Sequence, residues 1–207
     1  MIDNVLSEVK GLKNDAKLLR DIGDTDGAIA NLDKAIARVE AARGGSVTPD
    51  ESDRLKAQLA DLWGMQGGVY RRAGRMAEAL AAYKKGLEFE SDDSYNLTNS
   101  LTLELLIDPT RLNELEPNVV AARDAVEKQI QKQRSRQWWA WADLGLLELL
   151  SGHEERAIAA YKNFVATGAR ASDYDSTISV LEELSSKFGG NNAVSYTHLT
   201  LPTTERV

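Results

Sequence analysis

The chain has 207 residues, of which 43% are hydrophobic, and a formal net charge of -7 at pH 7. That hydrophobic content is enough for a continuous core, while the acidic balance argues against a general nucleic-acid binder, which normally carries a basic excess. The sequence lacks cysteine, so it has no disulfide, no thiolate nucleophile and no cysteine-ligated zinc. It shows neither an early apolar run of signal-peptide length nor a stretch long enough for a membrane helix. We expect a soluble cytoplasmic protein that binds neither nucleic acid nor membranes.

The first elements in chain order predict a helical hairpin over about residues 3–43. Apolar residues recur at three- and four-residue spacing in residues 3–22 and again in residues 28–39, which indicates two amphipathic helices. Residues 23–27 contain two glycines and two aspartates and predict the turn between them. The residues expected to face inward on the first helix are Val5, Leu6, Val9, Leu12, Ala16, Leu19 and Ile22.

A second helical hairpin is expected over about residues 49–91. Thr48 offers a capping hydroxyl, Pro49 suits a first helical turn, and Glu51 stands three residues after the cap. The helix should therefore begin near Pro49. Gly74 interrupts the apolar periodicity and predicts the turn to the second helix.

Small and bulky residues alternate in this second hairpin at fixed offsets of a frame of about 34 residues that opens at Ala60. Gly67 and Ala79 are small where the two helices should cross closely, and three aromatic residues should fill the space beside the crossing. A single hairpin cannot bury its apolar face, so the chain should contain further copies. The residues at these offsets are Trp63, Gly67, Tyr70, Ala79, Tyr83 and Gly86.

The turn pattern of the second hairpin recurs twice. Gly23, Gly74 and Gly152 are each followed five residues later by alanine and an aliphatic residue, and the last of these turns predicts a hairpin over about residues 137–170. A divergent, lengthened hairpin is expected before it, over residues 93–136.

The divergent hairpin has its own stop and start signals. Asp108 and Pro109 should end its first helix, because the proline cannot continue it. An irregular loop should follow as far as Pro117, and a long helix should run from about Asn118 to Ser135.

The end of the chain predicts a capping helix and a tail. A helix over residues 173–188, capped by Ser172 and Asp173, should cover the open end of the repeat array. Residues 191–207 are expected to be non-native or disordered, because the run VSYTHLTLPT, residues 194–203, looks like a translated sequencing adaptor. The natural C-terminus is then expected to be missing.

The glycine and aromatic offsets resemble those of the tetratricopeptide repeat (TPR), and the resemblance covers about residues 10–170. It implies an all-α fold, a right-handed α-solenoid of about four helical hairpins plus a C-terminal capping helix within residues 1–190. It also implies a non-enzymatic scaffold for protein-protein interaction, which holds a peptide or partner protein in a concave groove lined by the first helix of each hairpin. The groove residues that the resemblance implies are Lys10, Lys13, Asn14, Lys17, Arg71, Arg72, Asn96, Ser100, Trp139 and Asp143.

The N-terminal half of this expected groove is basic, which favours an acidic segment or a chain terminus as the partner. One TPR subclass clamps a C-terminal carboxylate with a Lys-x3-Asn element on its first helix, and Lys10 and Asn14 match that element. The next two first helices depart from the clamp, since they offer Gly64 and Gly68 and then Asn96 and Ser100.

A second resemblance is carried by Tyr83, Gly86 and Glu88, followed by Tyr95, Asn96 and Asn99. It is to the TPR-like regulatory region of stress-activated MAP kinase kinase kinases and their bacterial relatives. This resemblance implies an alternative function, a regulatory or sensing segment of a larger signalling enzyme that is truncated at its C-terminus.

Few residues point to catalysis. Apart from the tail, His153 is the one histidine, and no second histidine stands four residues on, so a solvated turn residue is favoured over a zinc ligand. Gly64, Gly67 and Gly68 lack the Lys-Ser/Thr of a phosphate-binding loop. We therefore predict no enzymatic activity, no cofactor and no metal.

Three tryptophans open the last hairpin. Trp141 shares its offset with Trp63 and should pack in the core. Neighbouring positions on a helix face different sides, so Trp138 or Trp139 should face a groove, a neighbouring repeat or solvent, with burial favoured over exposure.

Overall fold

The structure, a computed structural model, describes residues 2–169 and 171–188, without the side chains of residues 133, 134 and 172. In those residues all regular structure is helical, which confirms the expected all-α fold class. The chain divides into two compact units, residues 1–100 and 101–207. The predictions for the tail fall outside the described residues. The helices are α1 (Ile2–Asp21), α2 (Thr25–Arg43), α3 (Pro49–Arg72), α4 (Met76–Leu87), α5 (Ser94–Ile107), α6 (Leu112–Gln129), α7 (Trp138–Leu150), α8 (Glu154–Ala166) and α9 (Ala171–Phe188), with a 3-10 turn at Pro109–Arg111 and a π-helical turn at Ile130–Arg134.

Glycines in the left-handed region close three of the hairpins. Gly23, Gly74 and Gly152 have φ of 85°, 73° and 76°, a conformation that other residues adopt only at a cost. In the second hairpin the N–H of Arg75 donates to the carbonyl of Tyr70 at 2.9 Å, across the end of α3. This bond is the Schellman closure of a helix C-terminus. The three predicted turns are therefore confirmed.

Two hairpins cross at a glycine. A Cβ atom on Gly67 would lie 2.7 Å from the ring of Tyr83, and one on Gly145 would lie 2.7 Å from the ring of Tyr161. Such distances are far inside van der Waals contact, so only glycine lets the helix backbone approach the ring. Ala79 is fully buried in the first of these crossings, as its small size predicts.

In residues 1–100, α1 packs on α2, α2 on α3 and α3 on α4, as in an α-solenoid. Ion pairs also join α1 and α3, which are the first helices of the first and second hairpins. Asp3 accepts from Arg54 at 2.8 Å near their starts, and Asp61 of α3 pairs with Lys13 near the middle of α1. One inward residue was predicted wrongly: Ile22 is 79% exposed, because α1 ends at Asp21.

The start of α3 follows its sequence signal. The N–H of Glu51 donates to Thr48 Oγ1 at 3.3 Å, and the N–H of Thr48 donates to Glu51 Oε2 at 2.9 Å. Both backbone donors would otherwise lack a helical partner, so this capping box confirms the helix start at Pro49.

The predicted loop between Asp108 and Pro117 is wrong. Asp108 caps a 3-10 turn by accepting from the N–H of Thr110 at 3.1 Å. The α6 helix then begins at Leu112 and continues through Pro117. The proline lies on an exposed face early in the helix, where its missing N–H removes one hydrogen bond near the helix start rather than breaking an established helix.

In residues 101–207, aromatic side chains build the core of the last hairpin. Phe164 is fully buried and contacts Trp138 on α7 and Tyr174 on α9, with ring centroids 5.9 and 5.1 Å apart. The contact with Tyr174 places α9 against the hairpin. The α9 helix begins at Ala171, so the predicted capping residue Asp173 lies inside its first turn.

Candidate protein-interaction surface

A polar stripe runs along one side of α1. Lys10, Asn14, Lys17 and Asp21 are spaced by four, three and four residues, so they share one helix face. All four are exposed. The structure thus brings together three of the four groove residues that were predicted on this helix, and the stripe adds Asp21.

The fourth predicted residue, Lys13, lies between α1 and α3. Its ammonium group pairs with Asp61 on α3, which also accepts from Gln58 Nε2 at 3.2 Å. The ammonium group of Lys13 is therefore already paired within the protein. Lys10 and Lys17, by contrast, form no ion pair with any residue that the structure describes.

Positive charge gathers around Asp21 at the C-terminal end of the stripe. Hydrogen bonds from Arg20, at 2.9 and 2.7 Å, hold the pKa of the Asp21 carboxyl below its ordinary value. The charges of Arg20, Arg72 and Lys17 lower this pKa further. Arg72 is the last residue of α3, so the charges of cations from both α1 and α3 act on the Asp21 carboxylate. We name Lys10, Lys17, Arg20 and Arg72 the basic patch.

Arg71 of α3 connects α3 to α5 by a hydrogen bond. Its Nη1 donates to Asn99 Oδ1 at 3.0 Å, and Asn99 Nδ2 donates to the carbonyl of Tyr95 at 2.9 Å. The guanidinium is partly buried and fixes the start of α5 on α3. The sequence placed Arg71 and Arg72 together, but in the structure Arg72 belongs to the basic patch and Arg71 does not.

The two predicted groove residues on α5, Asn96 and Ser100, lie in the protein interior. Asn96 is 1% exposed and lies between two glycines of the second hairpin, Gly64 and Gly86. Its Nδ2 donates to the carbonyl of Ala60 at 3.0 Å. Ser100 is also buried. Asn96 holds α5 in place where the glycines leave room for its side chain, whereas Ser100 Oγ donates to the carbonyl of Leu97 in its own helix at 3.0 Å. Neither side chain is accessible to a partner.

The sequence analysis named Tyr95 of α5 in the second resemblance but did not predict its packing against the second hairpin. Its ring lies against Gly64 and contacts the ring of Tyr83, with centroids 5.9 Å apart. Its hydroxyl lies 3.2 Å from the position that a Cβ on Gly68 would take. The signal was present in the sequence as closely spaced glycines on α3, which mark a surface that other side chains approach.

The tetratricopeptide repeat model matches residues 60–93, which contain the second half of α3, the Gly74 turn and α4. Residues 60–93 are a tetratricopeptide repeat. The predicted TPR resemblance is confirmed there, and the glycine crossing at Gly67 belongs to that repeat.

Solved structures with related helices have low similarity to the chain. Two crystal structures of MamA are 17% and 18% identical to it, cover 87% and 84% of this chain and 91% and 94% of their own chains, and have TM-scores of 0.44 and 0.43. YrrB, described as a TPR protein with an unusual peptide-binding site, is 16% identical, with 81% of this chain and 90% of its own covered and a TM-score of 0.36. Such TM-scores establish nothing about function. No curated protein matches the sequence.

The second unit contains the last two predicted groove residues. Trp139 is 40% exposed and meets the ring of Trp138 edge to face, with centroids 5.6 Å apart. Asp143 is partly buried and has an interaction within the protein. Trp141 is also partly buried, and its Nε1–H donates to the carbonyl of Ser135 at 2.9 Å. Trp139 is therefore the tryptophan that faces solvent.

A buried carboxylate in the second unit was also missed. Glu148 of α7 is 1% exposed, and its Oε2 lies 2.8 Å from Nδ1 of His153 in the following turn. Arg156 Nη2 lies 2.7 Å from Glu148 Oε1 and 2.8 Å from Glu127 Oε1 on α6. His153 was predicted to be a solvated turn residue, but it is held by this carboxylate, and the group ties α6, α7 and α8 together through charge.

The described residues show no arrangement suited to a metal or a membrane. No three histidine, aspartate or glutamate side chains among them converge on a common point that would suit a metal ion. In residues 2–169 and 171–188, none of the helices has the length and hydropathy that crossing a lipid bilayer requires.

Proposed function

We propose that the protein is a non-enzymatic protein-interaction module in which the basic patch binds an acidic segment of a partner protein. One observation carries the proposal: the exposed residues Lys10 and Lys17 share one face of α1. The TPR at residues 60–93 supports it, since repeats of this kind serve as scaffolds for partner proteins.

The electrostatics of the patch favour an acidic partner. The whole chain has a net charge of -7, so a local positive excess stands out from an acidic surface and can orient a partner during encounter. Lys10 and Lys17 are exposed, which means that a carboxylate can reach both ammonium groups without displacing an internal ion pair. Interactions between exposed charges are weak one by one and depend on salt, so several together are needed for useful affinity.

Contacts between the helices fix the positions of the helices that present the basic patch. The pair between Lys13 and Asp61 joins α1 to α3 beside the stripe, and Arg71 anchors the α5 helix on α3. Because these contacts use other charged groups, Lys10 and Lys17 of the basic patch remain for a partner. A surface that is already ordered loses less conformational entropy on binding.

The proposal is tested with charge reversal in the patch. The probe is a fluorescein-labelled peptide of about 15 residues rich in Asp and Glu, measured by fluorescence anisotropy at two salt concentrations. We expect Lys10→Glu, Lys17→Glu to weaken binding at least about tenfold, and we expect added salt to weaken binding to the wild type. Lys34→Glu, at an exposed lysine on α2, is the matched control and should bind as the wild type does. Equal affinity of the double variant, or equal affinity of the wild type for a basic peptide, would overturn the proposal.

A further inference from the structure

Two exposed apolar side chains lie beside the basic patch. Leu18 is 66% exposed and Ile22 is 79% exposed, more than any other large hydrophobic residue in the described part of the chain. A single exposed leucine is ordinary on a protein surface. These two, however, are four residues apart, and the N–H of Ile22 donates to the carbonyl of Leu18 at 3.1 Å, so the helical turn reaches Ile22 just past the end of α1 and the two side chains are neighbours.

The apolar pair and the polar stripe share an edge. Leu18 is four residues after Asn14 and follows Lys17 directly, and Ile22 follows Asp21. The last turn of α1 and the residue after it therefore present two exposed apolar side chains, with Lys10 and Lys17 along one flank. Apolar contacts bordered by polar groups are the usual anatomy of a protein-protein interface.

We propose that the partner segment is an acidic amphipathic helix. Its apolar side chains contact Leu18 and Ile22, and its carboxylates pair with Lys10, Lys17 and Arg72. This inference rests on the proposed function and adds the conformation and the apolar anchors of the partner. Charge complementarity selects an acidic occupant, and the surface it must cover includes the apolar pair.

The spacing explains why the partner is helical. Residues four apart on a helix form a ridge, and such a ridge packs best between the ridges of another helix. From Lys10 to Ile22 the stripe and the pair extend roughly 18 Å along α1, which about twelve residues of a facing helix would span. An extended segment alternates its side chains between two faces, so fewer of them would reach both the apolar pair and its basic flank.

The test uses three labelled peptides of about 15 residues, a length at which an isolated helix is marginal and can be induced on binding. The first has two leucines four residues apart and glutamates on the adjoining positions. The second replaces both leucines with serine, and the third keeps the composition but puts the leucines on opposite helix faces. We expect the first peptide to bind about tenfold more tightly than the other two and to gain helical circular dichroism when bound.

Protein variants complete the test. Leu18→Ser, Ile22→Ser should weaken binding of the first peptide about tenfold, to the level of the serine peptide, without changing the melting temperature, because both side chains are exposed. Ile107→Ser, at an isoleucine that is also exposed, is the matched control and should leave the affinity unchanged.

The outcomes separate this inference from the proposed function. If the leucine and serine peptides bind equally and the Leu18→Ser, Ile22→Ser variant makes no difference, the inference is wrong while an acidic partner still stands. If binding ignores Lys10→Glu, Lys17→Glu, the proposed function itself fails. Absence of any binding by the first peptide overturns both. A wild-type dimer that Leu18→Ser, Ile22→Ser converts to monomer in sedimentation, or binding to phosphatidylserine vesicles in place of the peptides, assigns the surface to another occupant and overturns the inference.

Discussion

The ring of Tyr83 fills the space that a side chain on Gly67 would occupy, with Tyr83 Cε1 2.7 Å from the position of the missing Cβ. Sixteen residues separate these two positions, and the same separation joins Gly145 to Tyr161 in the last hairpin, where the geometry is repeated. In the first hairpin the corresponding residues are Ala16 and Leu32, both buried. The two size differences compensate each other: Ala16 is larger than the glycine of the other hairpins, and Leu32 is smaller than their tyrosine.

Because the sizes of the two residues are matched, replacing both Gly67 and Tyr83 with the residues of the first hairpin should be tolerated better than replacing Gly67 alone. Gly67→Ala should destabilise the protein by about 1–3 kcal/mol, because the added methyl group overlaps the Tyr83 ring. Adding Tyr83→Leu should recover part of that loss, since the double variant reproduces the first hairpin. The measurement is urea denaturation of the two single variants and the double variant.

Gly11→Ala is the control for this cycle. Gly11 is exposed in the interior of α1, and a Cβ there would meet no atom within 4 Å. We expect this change to stabilise the protein by about 0.5–1 kcal/mol through helix propensity alone. A double variant of Gly67 and Tyr83 that loses the full sum of the two single losses would contradict the size compensation.

Asn96→Asp tests the buried amide. The change keeps the shape of the side chain but replaces the donor that faces the carbonyl of Ala60. At pH 7 the ionised group would be buried without a cation, so we expect a loss of about 3 kcal/mol or more. Burial raises the pKa of such a carboxyl, so the loss should grow as pH rises above the unfolded-state pKa and shrink in acid. Thermal melting from pH 4 to pH 7 measures this, and Asn14→Asp, at an exposed position, should stay within about 0.5 kcal/mol of the wild type.

The capping box at Thr48 predicts a pH-dependent contribution from Glu51. The hydrogen bond from the Thr48 N–H, followed by that from its hydroxyl, lowers the pKa of the Glu51 carboxyl from its ordinary value of 4.5. A lowered folded-state pKa stabilises the fold above the unfolded-state pKa, and this stabilisation is lost as pH falls through the folded-state pKa. The wild type should therefore be more stable than Glu51→Gln at pH 7, and the difference should shrink as the pH falls below 4.5 and through the folded-state pKa. A difference that stays constant over this range in urea denaturation would exclude the ionised carboxylate as its source.

Arg156 should contribute more to stability than Arg38, which is about equally exposed but pairs with an exposed carboxylate. Its partner Glu148 is buried, so Arg156→Gln leaves that carboxylate with less compensation, and we expect a loss of about 1–3 kcal/mol. Arg38 pairs at 2.7 Å with Glu8, and both side chains are about half exposed, so Arg38→Gln should cost less than about 1 kcal/mol. Adding Glu148→Gln to the Arg156 variant should restore stability. Both losses are measured as changes in the urea midpoint. Equal losses for the two arginine variants would show that the burial of Glu148 does not increase the contribution of its ion pair to stability.

The local features of this protein were determined by its sequence. The turns at Gly23, Gly74 and Gly152 depend on a left-handed backbone that glycine adopts without strain, and the start of α3 depends on hydrogen bonds between Thr48 and Glu51. Both causes act within a few residues along the chain. The glycine and aromatic offsets of the repeat were equally readable, because the helical period decides which residues share a side.

Tertiary structure alone decided which of those sides remain open. The TPR resemblance put Asn96 and Lys13 in the expected groove, but the glycines of the second hairpin enclose Asn96, and Lys13 pairs with Asp61. Helical spacing marked Ile22 as inward, whereas the end of α1 leaves Ile22 in solvent. Periodicity fixes the direction of a side chain relative to its own helix, but burial and ion pairing depend on what lies opposite, which is set by contacts between residues far apart in the chain.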